Sequence, residues 1–170
     1  MKLTKRGEYA LRALIDLAIA PQAGRHMLSQ KEIAEKENIP LPFLEQIFLQ
    51  LREAGLVDGK RGKGGGFFLA KPANNITLAE VVRLIDGPLA PISCASMTAY
   101  AKCGCPDEAH CGLRMIMLDV RNSISNILDR YTLAQVAEVT IRKLRQHGLA
   151  LPFSTTTAAT APVVEPDYQI

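Results

Sequence analysis

Residues 29–70 run SQKEIAEKENIPLPFLEQIFLQLREAGLVDGKRGKGGGFFLA, and their order decides the fold. Ser29 and Glu32 stand three apart, the spacing at which each side chain satisfies the other's backbone N–H at a helix start. A helix therefore begins after Ser29, turns Ile33 and Ala34 inward, and stops before Pro40, whose ring removes a donor and restricts the preceding residue. Pro42 suits the first turn of the next helix, in which Leu44, Ile47, Phe48 and Leu51 recur at i, i+3, i+4 and i+7 before Ala54-Gly55 closes it. Two short helices across a tight break make a helix-turn-helix pattern. The segment Leu56–Ala70 then places two short apolar strands around a basic, glycine-rich turn, a β-hairpin wing carrying Lys60, Arg61 and Lys63.

Upstream, Leu11, Leu14, Ile15 and Ala18 oppose Glu8, Arg12 and Asp16 at i, i+4 and i+8, which predicts an amphipathic helix over about 7–20 ending at Pro21. Three charges are incompatible with the apolar core of a secretory signal, so this stretch is expected to be a folded helix of the mature protein. No run of 18 apolar residues occurs in the chain, so no membrane partner is expected and the cytoplasm is the expected compartment.

Downstream, Thr77 and Glu80 form another expected capping box, opening a helix with Leu78, Val81, Val82 and Ile85 on one face and Asp86-Gly87-Pro88 at its end. Periodicity then dissolves from Leu89 to about Gly112. Leu113, Ile116, Met117, Val120, Ile124, Ile127 and Leu128 mark a long helix of about five turns. Thr132 and Gln135 cap a last helix bearing Leu133, Val136, Val139 and Leu144. The long helix has too little core of its own to cover its stripe, so a second copy of the chain is expected to cover it, giving a homodimer. Residues 151–170 lack periodicity and are expected to be a disordered tail.

The chain of 170 residues, 48% hydrophobic and 22% charged, suits one compact domain with appended elements. The expected architecture is mostly α with a small β-hairpin wing: a winged helix-turn-helix over 1–71, and a cysteine loop with dimerisation helices over 72–150. Residues 1–71 hold 12 Lys and Arg against 8 Asp and Glu, whereas 72–170 hold 8 against 9, which points to an anionic partner for the first half. Glu45 and Gln46, with Pro42 and Phe43 before them, lie where a recognition helix meets base edges. Lys60, Arg61 and Lys63 suit phosphate and minor-groove contact, and Ser29 and Gln30 suit phosphates at the start of the second helix. Double-stranded DNA is the expected partner; a winged-helix protein-interaction module is the alternative from another class. An enzyme is not expected, since no nucleophile, base and acid set occurs and the wing's glycines precede strand, not helix.

Cys94, Cys103, Cys105 and Cys111 all fall in the aperiodic loop, separated by eight, one and five residues. In a cytosolic protein such a group favours metal binding or redox chemistry over structural disulfides, and these gaps fit neither zinc knuckles nor ferredoxin runs. A cluster-free thiol sensor built on Cys103 and Cys105 is the alternative reading. His110, beside Cys111, is a further candidate ligand.

Met1-Lys2-Leu3-Thr4 leading into Tyr9-Ala10-Leu11-Arg12-Ala13-Leu14, Phe43-Leu44-Glu45-Gln46, the wing Arg61–Phe67 and Gly87-Pro88-Leu89-Ala90-Pro91 together resemble the Rrf2 family of winged-helix bacterial regulators over residues 1 to about 150. The resemblance implies a homodimeric transcription factor whose cysteine loop ligates an iron-sulfur cluster, 2Fe-2S or 4Fe-4S, that senses redox state, iron-sulfur status or nitric oxide. It implies Cys94, Cys105 and Cys111 as thiolate ligands, with Cys103 surplus. Some relatives carry a histidine three residues after the last cysteine, where this chain has Arg114. Others use a carboxylate of the partner subunit's first helix, at the position of Glu8 here. The resemblance also places Glu45 and Gln46 at the DNA surface and Arg61 in the minor groove.

Overall fold

The first helix, α1 (Lys5–Ile19), opens at Thr4, whose hydroxyl accepts the Gly7 N–H at 3.2 Å. Thr4 also donates its N–H (2.9 Å) and its hydroxyl (2.6 Å) to the carboxylate of Asp86, so the start of α1 is tied to the end of α4 (Leu78–Asp86). The computed structural model describes residues 3–154; the expected tail lies outside them from residue 155 on.

Helix α2 (Gln30–Glu37) begins with the expected capping box, in which the Ser29 hydroxyl accepts the Glu32 N–H (3.2 Å) and Glu32 accepts the Ser29 N–H (2.8 Å). Helix α3 (Leu41–Glu53) starts after Pro40 and buries Leu44, Ile47, Phe48 and Leu51. These side chains join Ala10, Ala13, Leu14 and Leu17 of α1 with Leu28 and Ile33 in the main core, where burial drives assembly at about 25 cal/mol per Å² of apolar surface. The hairpin pairs β1 (Val57–Lys60) with β2 (Gly66–Leu69) antiparallel, Val57 opposite Leu69 and Lys60 opposite Gly66. Leu28 adds a further rung, its N–H donating to Phe67 O (3.0 Å) and its carbonyl accepting from Phe67 N (2.7 Å). This contact explains Gly66: a Cβ there would stand 2.7 Å from the Leu28 carbonyl oxygen. A single-residue rung has no sequence period, so nothing before the hairpin marks it.

Four expectations change. Asp16, placed with the solvated face of α1, is 1% exposed. Its carboxylate receives the Lys36 ammonium at 2.5 Å, a bond between residues twenty apart that α1's own pattern cannot reveal. Glu37 also pairs with Lys36 and accepts from Arg12 at 2.5 Å, and the Phe153 ring lies 5.7 Å from the Lys36 nitrogen. The second expected box is half formed: Thr77 accepts from Glu80 N, while the Glu80 carboxylate turns to Lys71 (3.1 Å).

The stripe of α5 (Gly112–Arg130) divides in two. Ile124 and Leu128 pack on Ala79, Val82 and Leu89 of their own chain, whereas Leu113, Ile116, Val120 and Ile127 are exposed. No residue of α5 is buried. Finally, α6 (Leu133–Gln146) turns inward Leu133, Ala137 and Ile141, at i, i+4 and i+8, and leaves Val139 exposed. The expected row at 133, 136, 139 and 144 drifts around the helix because it passed over small Ala137, which packs with Ile141 against Ile19 of α1. Leu151 covers that contact and Phe153 packs on the main core. The Arg83 guanidinium clamps both oxygens of Asp129 (2.6 and 2.8 Å), fastening α4 to α5.

Candidate DNA interface and thiol site

The buried row of α3 fixes which residues face outward. Pro42, Phe43, Glu45, Gln46 and Leu49 are all exposed on the opposite side, as the helical period requires. Phe43 meets the Tyr9 ring edge-on at 6.0 Å, which seats the N-terminal turn of α3 against α1. The Gln50 amide donates to Leu84 O (2.8 Å) and fixes the far end of α3 to α4. In the wing, Gly64 takes a φ of 79°, a conformation that favours glycine, and Lys60, Arg61 and Lys63 stand exposed beside it.

These three cations have no hydrogen-bond or ion-pair partner among the described residues, whereas Lys5, Arg12, Arg25, Lys36, Lys71, Arg83 and Arg114 each face a carboxylate. Unneutralised charge on a projecting hairpin suits a polyanion. Glu45 and Gln46 are likewise unengaged. Ser29 differs: its hydroxyl donates to Glu32 (2.8 Å), whose carboxylate also takes the Ser29 N–H, so both groups are occupied by the cap. Gln30 follows it as the first residue of α2.

The loop between α4 and α5 holds all four thiols free, with Cys94 buried, Cys103 and Cys111 half-buried and Cys105 exposed. Burial, then the neighbouring Cys103, pushes the Cys94 thiol up. A hydrogen bond with Cys103 and then its charge push Cys105 up to about 11, with smaller effects from Cys111 and Cys94. Cys103, expected as surplus, is thus the thiol that raises both Cys94 and Cys105.

One carboxylate joins them. Glu108 accepts the Tyr100 hydroxyl (2.9 and 3.1 Å) and the Cys103 thiol (3.7 Å), and pairs with Arg114 Nε (3.3 Å), which also donates to the Cys94 carbonyl (3.1 Å). The Tyr100 hydroxyl, first among several donors, holds the Glu108 carboxyl below its ordinary range. No period or motif marks Glu108 or Tyr100 in the sequence, and Arg114 figures there only as the residue standing where some relatives carry a histidine; the folded loop and the start of α5 bring the three together.

The other expected donors are engaged elsewhere. Glu8 pairs with Lys5 (2.8 Å) and Arg12 (3.4 Å), and its carboxyl is held low chiefly by Lys5. His110 bonds Asp107 through Nδ1 (2.8 Å) at the surface. Among the described residues, no three His, Cys, Asp or Glu side chains are arranged around one metal-ion position. The donor chemistry nevertheless suits an iron-sulfur cluster, which draws on several soft thiolates spread over its edges.

The family model described as Rrf2, iron-dependent transcriptional regulator, matches residues 3–139. The chain belongs to the Rrf2 family. It is similar to the HTH-type transcriptional regulator IscR of Citrobacter koseri, 34% identical over 160 residues that cover 92% of this chain and 94% of that protein. Among solved structures, CymR, the global cysteine regulator of B. subtilis, superposes with a TM-score of 0.68 at 29% identity, over 82% of this chain and 98% of that one. IscR of T. potens gives 0.64 at 27%, over 88% and 93%. This Rrf2 member is therefore a winged-helix transcriptional regulator of a DNA-binding family, and none of its described helices is long and apolar enough to cross a membrane.

Proposed function

We propose that this Rrf2 regulator works in the cytoplasm as a homodimer on double-stranded DNA, through the outer face of α3 and the wing, under the control of an iron-sulfur cluster, 2Fe-2S or 4Fe-4S, held by its cysteine loop. The unpaired wing cations carry the DNA reading. In it, Gln46 pairs with adenine and Glu45 accepts from cytosine in the major groove, Pro42 and Phe43 set the approach, and Arg61 enters the minor groove between Lys60 and Lys63 on phosphates. Gln30 adds a phosphate contact at the start of α2; at Ser29 such a contact competes with Glu32.

The four thiols within one loop carry the cluster reading, supported by membership of a family of iron-dependent regulators and by similarity to IscR proteins. Cys94, Cys105 and Cys111 are the proposed thiolates, and Glu8 of a second copy is the non-thiolate donor that the family resemblance implies. When bound, the cluster supplies a centre that responds to redox state or to small ligands.

The chain's own contacts give its state a route to the DNA. The loop begins at Gly87, directly after Asp86, and Asp86 holds the start of α1 through Thr4. α1 in turn holds Phe43 through Tyr9. A shift at the loop's entry thereby tilts α1 and α3 together, and because paired half-sites lie about 34 Å apart or a multiple, small tilts alter affinity.

Anisotropy titrations on an operator fragment test the reading, with protein purified anaerobically and with the same protein stripped of iron. Brown protein with iron and sulfide whose operator affinity changes on stripping supports it. Brown protein with unchanged affinity removes the control, and protein that ignores DNA at every salt concentration removes the whole.

A second reading, a cluster-free thiol switch, is favoured by the influence of Cys103 on the Cys94 and Cys105 thiols, both of which it pushes up, and by the solved oxidised form of Staphylococcus aureus CymR, 30% identical over 81% of this chain. Colourless protein whose DNA affinity follows dithiothreitol would select it.

A further inference from the structure

We propose that the cavity between α4, the first part of the cysteine loop and α5 is a binding site for a small organic monocarboxylate that acts as an effector of this regulator. No cysteine lines it, so the site stands whether or not the loop carries a cluster; its effector role rests on the DNA reading above.

The cavity holds about 340 Å³, the space of about ten waters and within the range of small-molecule sites. Its walls come from distant parts of the chain: Arg83 from α4, Leu89 and Ser96 from the loop, and Arg121, Ser125 and Asp129 from α5. The two guanidiniums differ. Arg83 is spent on Asp129, meeting both carboxylate oxygens (2.6 and 2.8 Å). Arg121 has no carboxylate partner among the described residues, and its Nε is shut off from water without an acceptor. A buried donor left unpaired gives up its water and gains nothing in return.

These features select the ligand. Two cations against one anion leave a single positive charge in the walls, which matches a monoanion and not a dianion. A carboxylate fits that charge and the orphan donor together, because its two oxygens accept side by side from Nε and a terminal nitrogen of one guanidinium. Arg121 is half-buried as a whole, so this edge can turn toward the cavity. Buried Leu89 gives an apolar wall for the body of the ligand, and the side chains of Asn122 and Ser125, unengaged among the described residues, remain for a hydroxyl or carbonyl oxygen.

A second copy need not close the cavity. At about 100° per residue, Arg121, Asn122 and Ser125 centre roughly half a turn around α5 from the exposed stripe of Leu113, Ile116, Val120 and Ile127. The site also has leverage on the reading head. α4, which carries Arg83, ends at Asp86, and Asp86 holds the start of α1 through Thr4. A carboxylate seated on Arg121 draws α5 and the loop wall together beside the Arg83–Asp129 clamp and biases the tilt of α1.

Isothermal calorimetry on the full chain without DNA tests the site. The probes are acetate, L-lactate and 4-hydroxybenzoate, monocarboxylates of rising size, with malonate as the dianion and benzamide as the neutral control. At least one monocarboxylate should bind once per chain, at least about tenfold more tightly than either control. Arg121→Gln should weaken it about ten- to a hundredfold, the worth of hydrogen bonds to a charged group. Ser125→Leu, which fills space and leaves every charge in place, should also abolish tight binding, whereas Arg130→Gln, outside the cavity, should bind as the parent does; circular dichroism shows that each variant is folded. The bound carboxylate should shift operator affinity at least about fivefold in anisotropy titrations, and operator DNA should shift carboxylate affinity by the same factor.

Heats no larger than dilution for all three monocarboxylates overturn the site, and so does parent-like binding by Arg121→Gln. Malonate bound as tightly as the monocarboxylates overturns the ligand class. Loss of the dimer on Arg121→Gln, with calorimetry silent for the parent, gives Arg121 to a carboxylate of a second copy instead. Carboxylate binding that leaves operator affinity unmoved overturns the effector role, and protein that ignores DNA overturns the DNA reading while the calorimetry decides the cavity.

Discussion

Replacing Ile127 of α5 by Glu should separate the two copies of the regulator without unfolding either. In the single chain Leu113, Ile116, Val120 and Ile127 keep 62%, 57%, 38% and 52% of their surface in water. Full burial of such a side chain is worth about 1.5–3 kcal/mol, so covering the exposed half returns about 1 kcal/mol each, and about 8 kcal/mol over both copies of the four residues. Ile127→Glu forfeits about 2 kcal/mol of that per dimer and sets two carboxylates into an apolar contact, at a few kcal/mol more. At 1.4 kcal/mol per factor of ten, dimer dissociation should rise at least about a thousandfold. Sedimentation velocity across micromolar concentrations reads this directly, with circular dichroism to show that the helices persist. Ile124→Ala is the contrasting variant: Ile124 packs on Ala79, Val82 and Leu89 of its own chain, so it should lower unfolding stability by about 2 kcal/mol and leave association nearly unchanged. A dimer that survives Ile127→Glu but is lost with Ile124→Ala would refute the division of α5 into an inner and an outer flank.

Arg61→Ala should weaken operator binding by about 1–3 kcal/mol and flatten its salt dependence, whereas Gln46→Ala should reduce discrimination between operator and random DNA with nonspecific affinity retained; anisotropy titrations at several salt concentrations separate the two. Burial pushes the Asp16 carboxyl from an ordinary 3.8 up to about 6, so the native state holds the extra proton between those values and this group's contribution to stability declines as pH rises through 6. Lys36 and Glu37 face it, and Glu37, held low by Lys36 and Arg12, runs the opposite way, losing its contribution as pH falls. Relative to Asp16→Asn, the parent should therefore lose stability as pH rises from 4 to 7 in urea titrations, and parallel curves would remove Asp16 from the pH response. Visible absorption of anaerobic preparations should vanish for Cys94→Ala, Cys105→Ala and Cys111→Ala and persist for Cys103→Ala; the reverse result for the Cys103 and Cys105 pair would give the ligand role to Cys103.

The winged-helix half was legible because its boundaries are chemical events within a few residues of one another: a capping Ser29 with Glu32, a proline on either side of Leu41, a glycine where the hairpin turns. Leu44, Ile47, Phe48 and Leu51 are buried as their spacing requires. What escaped depends on partners distant in the chain. Asp16 is buried because Lys36 reaches it, and Ala137 is a core position because Ile19 is opposite, neither of which a local period can express. The thiol loop was visible as a concentration of cysteines, and the resemblance supplied roles for them, but Tyr100 and Glu108, and the pairing of Glu108 with Arg114, enter only through the way an aperiodic segment folds against the start of α5.

The packing of residues 141–153 also decides what a shorter piece of this chain would lose. The family match ends at residue 139, partway along α6, which makes residues 3–139 an inviting fragment to express. Such a fragment would lack Ile141 and Leu151, which shelter Ile19, and Phe153, whose ring shields the one ammonium that neutralises buried Asp16. The DNA-reading end would thus be stripped of apolar cover by a cut made more than a hundred residues away in sequence, and an expression boundary drawn after residue 154 preserves what a boundary drawn by homology would discard.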